Sequence, residues 1–365
     1  MYSFEPNEEQ KMLVEAINRY ATSDLRASAH DADEDNNLPL KLIQKGWELG
    51  YLQASVPAEY GGFGEHSAVT GVLAAEEMAY GDLAGALAVM TPGLFALPVL
   101  LAGSEEQKQK YLPQVVENPD WTPYTGALLE PRFDFDPNDL ATTAVEDGDA
   151  YVIQGEKVYV PYAESAPAFI VYAALEGKTQ GFIVEKGTSG LEVAERQKLL
   201  GINALPVHRV CFNAVRVPRE NRLGGPQGHD FAPVLDSARV AMAGLGVGLA
   251  RAAFEYSRDY AKEREVFGVK VAQKQAIAFM LAEMATEIEA IRLLAWEAAW
   301  MLDNGKEEAS TAAYLAFTGA ANMAMMVTDR AVQILGGHGY IREHPVELWM
   351  RNGRGIATFT GLALI

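Results

Sequence analysis

This sequence of 365 residues has a single cysteine, no uninterrupted apolar run of about 20 residues and no excess of positive charge. The single cysteine excludes an intrachain disulfide and suits a reducing compartment, so we expect a cytoplasmic protein. No uninterrupted apolar run reaches the roughly 20 residues that cross a bilayer, and the Glu- and Gln-rich beginning does not resemble a signal peptide, so no membrane span is expected. The net charge of −19 argues against a nucleic acid as partner, because DNA binding usually requires a concentrated basic surface.

Residues that bind metals or act as nucleophiles are also sparse. The six histidines offer no pair at metal-ligand spacing with a carboxylate companion, so no metal site is expected. Cys211 lies in an apolar run typical of a strand, which favours a packed thiol over a nucleophile. These absences leave catalysis to other side chains or to a bound cofactor.

Three kinds of sequence pattern follow one another along the chain. The length of the chain by itself predicts more than one domain. Residues 1–120 have helical periodicity, as at Leu13 and Ile17, whereas residues 121–226 contain short β-rich runs separated by Gly, Pro and Asp. Residues 227–365 return to long helical patterns. The prediction is an α+β fold with an N-terminal helical domain, a middle β-barrel or sheet domain and a C-terminal four-helix bundle.

A glycine-rich run at Gly244, Gly246 and Gly248 invites comparison with a dinucleotide-binding loop. That loop requires a strand before it and the beginning of a helix after it. Here the run lies inside an Ala-rich helical stretch, so we interpret the glycines as sites of close helix packing.

Two motifs further along carry more information. Residues 264–268 follow the pattern Arg-x-x-Phe-Gly, and residues 333–337 follow Gln-x-x-x-Gly, before a run that continues to residue 351. Their order and their separation of about 70 residues resemble the C-terminal signature of the acyl-CoA dehydrogenase family. The resemblance covers essentially the whole chain and is strongest over residues 239–351.

The resemblance implies that the chain binds FAD across a subunit interface. It assigns Arg264 to the FAD pyrophosphate, for which the planar guanidinium fork is suited, and Phe267 to the adenosine half. It also assigns the side-chain amide of Gln333 and a close backbone approach at Gly337 to the same half of FAD. The remaining two residues of the implied cofactor-binding set are Gln275 and Gly336.

The catalytic base that the resemblance implies is missing. The family has an aromatic-Glu-Gly-Thr run in which the glutamate removes the α-proton of the acyl-CoA, and Thr360 stands at the glutamate position here. Isovaleryl-type relatives place the base before an arginine that matches Arg239, and that position is Ala238. A threonine hydroxyl is not ionised at neutral pH, and loss of a positioned base costs about 10²–10⁴ in rate. We expect the carboxylates of Glu130, Glu343 and Glu347 to form structural ion pairs instead.

Other positions that the family uses for a chain's own flavin have also changed. Leu129 replaces a threonine that bonds the flavin ring, and Pro161 replaces another, although proline has neither a hydroxyl nor an N–H to donate. Leu362 and Leu364 stand where relatives carry polar residues that reach the FAD phosphates. The altered positions correspond to contacts with the chain's own flavin, and the retained ones to contacts with a neighbour's flavin.

This division predicts a base-lacking subunit of a heteromeric acyl-CoA dehydrogenase, such as a heterotetramer. The implied partners are a paralogue with the glutamate base, an acyl-CoA from fatty acid or steroid catabolism, and electron-transfer flavoprotein as electron acceptor. One alternative is a homo-oligomeric dehydrogenase with a non-standard or mutated base. Others are a sulfur-removing or monooxygenase variant, and a non-catalytic binding or scaffold protein, including DNA-associated relatives that the acidic charge disfavours.

Overall fold

Helices fill the first third of the chain in the computed structural model, which describes residues 6–365. They are α1 (Glu8–Tyr20), α2 (Arg26–Glu34), α3 (Leu40–Trp47), α4 (Ala68–Gly81), α5 (Leu83–Met90), α6 (Gly93–Ala102) and α7 (Glu105–Val116). A capping box begins α7, in which Ser104 and Gln107 bond each other's backbone amides, as the serine before two glutamates predicts.

Helices α5 and α6 are almost entirely apolar and lie in the core. Among residues 6–365 no single helix is both long and apolar enough to cross a membrane. Only α5 and α6 together, across a bend of 51°, reach the necessary length and composition. Because nearly every residue of both helices is buried against protein, packing inside the fold accounts for their composition.

One seven-stranded sheet forms the middle of the chain. Of the predicted barrel or sheet, the structure therefore has the sheet. Its strands are β1 (Thr125–Ala127), β2 (Thr143–Asp147), β3 (Ala150–Pro161), β4 (Ala168–Leu175), β5 (Lys178–Glu185), β6 (Leu191–Arg196) and β7 (Val207–Pro218). The spatial order is β1-β4-β2-β3-β7-β6, with β5 on β4. Cys211 is a half-buried free thiol in β7, as predicted.

Long helices return after the sheet. They are α8 (Ala232–Glu263), α9 (Gln275–Asp303), α10 (Ala309–Leu335) and the short α11 (Val346–Gly353), with a hairpin of β8 (Glu265–Val266) and β9 (Val269–Lys270) between α8 and α9. The predicted bundle is confirmed, although its fourth helix has only eight residues. One apolar core joins these helices to those before the sheet, and a second, smaller core lies on the sheet itself.

The glycine run lies within α8, where that helix crosses α4. A methyl group on Gly244 would approach Val72 of α4 to 2.8 Å, and one on Gly248 would collide with the main-chain oxygen of Glu76. The prediction of close helix packing is therefore confirmed. Arg251, one turn further along α8, donates to Glu76 at 2.6 Å and to Glu77 at 2.7 Å, which fixes the crossing with largely buried ion pairs.

The beginning of α4 depends on a residue far away in the sequence. Asp303, at the end of α9, accepts hydrogen bonds from Ser67 Oγ at 2.9 Å, from the Ala68 amide at 2.6 Å and from the Val69 amide at 3.1 Å. These are amides that the first turn of a helix leaves without intrahelical partners. A side chain from the C-terminal region thus completes a helix of the N-terminal region.

Candidate functional site

A cleft of about 640 Å³ opens between the sheet and the C-terminal helices. Residues 129–137 and β3 form one wall, while α8, α10 and residues 357–360 form the other. The lining residues are Leu129, Glu130, Pro131, Arg132, Phe133, Phe135, Pro137, Val158, Tyr159, Gln197, Arg239, Tyr314, Phe317, Ala357, Thr358 and Thr360. Five of these sixteen side chains are aromatic, so the cleft suits a flat, partly apolar ligand.

The cleft brings together two of the altered positions, Leu129 and Thr360. Neither supplies a base, because one side chain is apolar and the other is an alcohol. Glu130 is the one carboxylate among the lining residues, and Arg132 and Arg239 are the cations. The Arg239 guanidinium lies 3.3 Å from Asp236 and 5.2 Å from the centre of the Tyr314 ring.

Glu130 is already committed to other groups. Its carboxylate accepts from Lys157 Nζ at 2.8 Å and from the amides of Ala141 at 2.7 Å and Thr142 at 2.8 Å. Burial opposes ionisation of Glu130, but Lys157 and the two amides outweigh it and lower its pKa. Burial lowers the pKa of Lys157 to about 8, against the opposing effect of Glu130. The pair is structural, as predicted, and leaves no carboxylate oxygen for catalysis.

The other two carboxylates that were predicted to form ion pairs differ from each other. Glu347 accepts from Arg351 at 2.8 Å, and Arg351 also bonds Asp33 at 2.7 Å, so the predicted structural role of Glu347 is confirmed. The prediction for Glu343 is wrong, since within residues 6–365 this exposed side chain makes no ion pair. Its solvation in a surface bend removes the need for a partner.

Three of the altered positions lie outside the cleft. Pro161 is buried at the end of β3, paired with Val207, and does not line the cleft. Leu362 and Leu364 are 2% and 3% exposed and pack in the helical core. At these two positions, where relatives carry polar residues that reach FAD, the side chains here are apolar and gain from burial in the core.

A feature of the cleft that the sequence did not reveal is the strained backbone of Tyr159, whose φ is 55°. The register of β3 against β7 shifts between Lys157 and Val160, so an extra residue is accommodated there as a bulge. The Tyr159 amide donates to Gln197 Oε1 at 2.7 Å, and its ring meets Phe359 edge to face at 6.2 Å. The bulge thereby turns an aromatic ring into the cleft.

The residues that the resemblance assigns to FAD form a second group, and none of them lines the cleft. All six are exposed: Arg264, Phe267, Gln275, Gln333, Gly336 and Gly337. In the part of the chain that the structure describes, the Arg264 guanidinium makes no hydrogen bond or ion pair. A methyl group at Gly336 or Gly337 would meet nothing within 4 Å. This surface is therefore open to close approach by another molecule.

Phe267 is the most conspicuous member of this group, since its ring is 94% exposed. It forms the tip of the β8–β9 hairpin with Gly268, and both residues have positive φ, 56° and 77°. A two-residue turn of this kind favours Asn-Gly, and a bulky aromatic residue is strained there. Lys274 Nζ lies 5.5 Å from the ring centre. An exposed, strained aromatic side chain contributes little to the stability of the isolated chain.

Replacing Phe267 with asparagine is expected to raise the stability of the isolated chain by about 0.5–1 kcal/mol, because asparagine tolerates the left-handed region. Thermal or urea unfolding of the purified chain would measure the change. Gly268→Ala in the same turn is the matched contrast and should lower stability, because Gly268 also has positive φ. A loss of more than about 1 kcal/mol in Phe267→Asn would contradict the strain argument.

The turn at Gly336–Tyr340 is fixed by a cluster that the sequence analysis missed. His338 and His344 stack with ring centres 5.3 Å apart and planes inclined by 12°. Tyr260 Oη lies 2.8 Å from His338 Nδ1, and Tyr256 Oη lies 2.7 Å from His344 Nδ1. Both tyrosines belong to α8, where their spacing of four places them on one helix face. The glycines of the turn are thus held against a rigid helix. Within residues 6–365 no group of three or more His, Cys, Asp or Glu side chains could hold a metal ion.

Comparisons with known proteins give three family matches in chain order. The models for the N-terminal, middle and C-terminal domains of acyl-CoA dehydrogenase match residues 7–119, 126–215 and 231–363. The chain is 35% identical to cyclohex-1-ene-1-carbonyl-CoA dehydrogenase of Syntrophus aciditrophicus, over 98% of this chain and 87% of that one. It is similar in structure to butyryl-CoA dehydrogenase of Megasphaera elsdenii, with a TM-score of 0.89 and 30% identity over 99% and 96% of the chains. PigA, solved with FAD and proline, gives a TM-score of 0.89 at 25% identity over 99% and 96%.

Proposed function

This chain belongs to the acyl-CoA dehydrogenase family, and on that premise we propose that it is a subunit of a heteromeric, FAD-dependent acyl-CoA dehydrogenase. In this assembly it completes the FAD site of a paralogue that carries the glutamate base, while its own site lacks one. The complex desaturates an acyl-CoA between the α and β carbons.

The observation that carries the proposal is the separation of the two groups of residues. The cleft has an alcohol at Thr360 and an apolar side chain at Leu129, and its one carboxylate is neutralised by Lys157. The six residues assigned to FAD lie outside that cleft, exposed, and Arg264 has no partner within residues 6–365. A chain that serves only its own cleft has no use for an exposed aromatic ring and an unpaired arginine on another surface. A chain that completes a neighbour's site uses both groups to bind the neighbour's cofactor.

The exposed group fits the phosphate-bearing half of FAD. An unpaired guanidinium can bond two phosphate oxygens, the open backbone at Gly336 and Gly337 allows a close approach, and the Phe267 ring can pack on an adenine. The chain's own cleft fits the flavin ring less well. Its aromatic lining suits a flat ring, but the Leu129 side chain donates no hydrogen bond where the family has a hydroxyl group.

The chain's own residues define the part that it plays in the reaction. When bound, FAD accepts the hydride that leaves the β-carbon. Thr360 cannot hold the α-proton, and Glu130 cannot move from Lys157 and two backbone amides to reach it. The contribution of this chain is therefore binding and orientation: Arg264, Phe267 and the turn at Gly336–Tyr340 hold the cofactor against the partner's base.

We extend the proposal to the substrate and the other partners. The proposed acyl group is bulky, ring-containing or steroid-derived; the similarity to a dehydrogenase of a cyclohexene carbonyl-CoA supports a ring, and the similarity to butyryl-CoA dehydrogenase supports a short chain as the alternative. Electron-transfer flavoprotein is the proposed electron acceptor, and the single cysteine favours a cytoplasmic location. A homologous chain bearing the glutamate is the partner to seek.

The test is the visible absorption spectrum of the chain purified alone and after co-expression with a paralogue that carries the glutamate. We expect a colourless protein alone and about half a flavin per chain in the complex, measured by extraction. Arg264→Gln should lower the flavin content of the complex about tenfold or more, the size expected for a charge-assisted pair. Arg258→Gln is the control, because Arg258 already pairs with Asp259 at 2.8 Å on the same helix. One flavin per chain in the isolated protein would overturn the proposal.

The homo-oligomeric alternative makes a different prediction for one variant. If Thr360 simply replaced a working glutamate, Thr360→Glu should restore desaturation by about 10²–10⁴. We expect no gain, because Leu129 and Pro161 are also altered and the variant leaves them unchanged. Acyl-CoA-dependent reduction of an electron-accepting dye, with the isolated chain and added FAD, would measure it. Restored turnover would favour the alternative over the heteromer.

A further inference from the structure

A small apolar chamber lies beside the cleft, at the place where both of the family's base positions converge. Ala238 lines it, and so does Gly361, which directly follows Thr360. The remaining walls include Leu94, Leu128 and Tyr172. A base must come within hydrogen-bond reach of the substrate's α-proton, so a chamber between two base positions is where the acyl chain would lie.

The chamber is almost completely filled by the chain itself. About 10 Å³ remains, which is close to what one water molecule needs and far below the size of an acyl group. Leu364 is one of its lining residues, and residues 362–365 are all at most 3% exposed. We call residues 362–365 the filling segment; of these four residues Leu364 lines the chamber, and the other three pack beside it in the core.

The filling segment is anchored on several sides. Ser237 Oγ donates to the main-chain oxygen of Ile365 at 2.6 Å and accepts from its amide at 3.1 Å. His66 Nε2 lies 3.1 Å from the same oxygen. A methyl group on Gly71 of α4 would approach Ile365 Cβ to 2.5 Å, so the segment and that helix are in close contact. These contacts make a single packed position, because polar main-chain groups and apolar side chains are satisfied together.

We propose that the filling segment occupies the acyl-binding chamber of this chain, with Leu364 in the place of an acyl chain, so that the chain's own site excludes acyl-CoA. The inference rests on the proposed function and deepens it: the subunit has lost its base and also the space for a substrate. Leu364 is then the residue that determines access. Substrate turnover in the complex occurs only at the partner's site.

The experiment measures binding rather than turnover. Butyryl-CoA is added to the wild-type chain and to Leu364→Ala, with CoA as the control ligand, and thermal unfolding is followed. In wild type, butyryl-CoA should raise the unfolding temperature no more than CoA does. In Leu364→Ala the chamber is enlarged, and butyryl-CoA should raise that temperature by about 2–4 °C more than CoA does.

Leu112→Ala is the matched control, because Leu112 is an equally buried leucine of α7 outside the chamber, and it should show no butyryl-specific rise. Leu364→Val, a milder change, should give a smaller rise if Leu364→Ala fails to fold. A butyryl-specific rise in wild type would overturn the inference, as would its absence from both folded Leu364 variants. Neither result alters the flavin stoichiometry of the complex, which tests the proposed function separately.

Discussion

Replacement of Lys157 by methionine is expected to destabilise the protein by about 3–5 kcal/mol, the cost of leaving an unpaired charge in the interior. Lys157 is fully buried, and its ammonium group donates to Glu130 at 2.8 Å and to the main-chain oxygen of Leu128 at 3.0 Å. Without the lysine, the Glu130 carboxylate keeps only two backbone amides as partners. Urea unfolding of wild type and variant would measure the loss.

Two further variants test the same ion pair. Adding Glu130→Gln to Lys157→Met should recover about 1–3 kcal/mol, since the unpaired charge is removed. Recovery stays incomplete, because glutamine has one acceptor oxygen for two amides. Lys178→Met, at an exposed lysine of β5, should change stability by less than about 0.5 kcal/mol. A loss below about 1 kcal/mol in Lys157→Met would show that the pair is not buried as described.

The same pair makes the stability of the protein depend on pH, and the direction of this dependence follows from the pKa of Lys157. The pKa of Lys157 is about 8 in the folded chain, against a usual value of 10.5, because burial disfavours the charged form. Between these values the unfolded chain binds more protons than the folded one, so this group makes stability rise with pH across that window. Lys157→Met should lack that rise.

The second large effect is expected at Gly248, where a methyl group would collide with the main-chain oxygen of Glu76. Gly248→Ala must push α8 away from α4 and should cost about 1–3 kcal/mol or more. Two residues earlier, Gly246→Ala adds the same methyl group 3.4 Å from Ala320 Cβ, an ordinary contact. It should be neutral or stabilising by up to about 1 kcal/mol, because alanine favours the helix. Thermal unfolding of both variants would compare them, and equal effects would contradict the packing argument.

Much of the fold follows from local patterns that could be recognised in the sequence. Ser104 before two glutamates predicts a helix start because a side-chain cap and the helix dipole act over one turn. The glycine run could be assigned to helix packing because its neighbours are helix formers. The family motifs at residues 264–268 and 333–337 could be recognised because each is a short, continuous run of sequence. They indicate the exposed residues that the resemblance assigns to FAD.

What could not be predicted depends on residues distant in sequence. The bulge at Tyr159 arises from the register of β3 on β7, which no local pattern encodes. The stacking of His338 on His344 depends on how a turn packs on α8. Burial of Leu364 could not be predicted either, because an apolar residue at that position indicates only that a polar contact has been lost. Tertiary packing decides each of these cases.

The dependence of α4 on Asp303 has a consequence for synthesis of the protein. The carboxylate that caps the Ala68 amide lies 235 residues later in the chain. At about 5–20 residues per second, a ribosome needs on the order of 10–50 s to extend the chain that far. Throughout that interval α4 lacks its cap, and until residues 232–263 have been made the N-terminal helices also lack the α8 surface that covers them. Release of a shortened product before residue 303 should therefore leave a chain that chaperones hold and proteases remove.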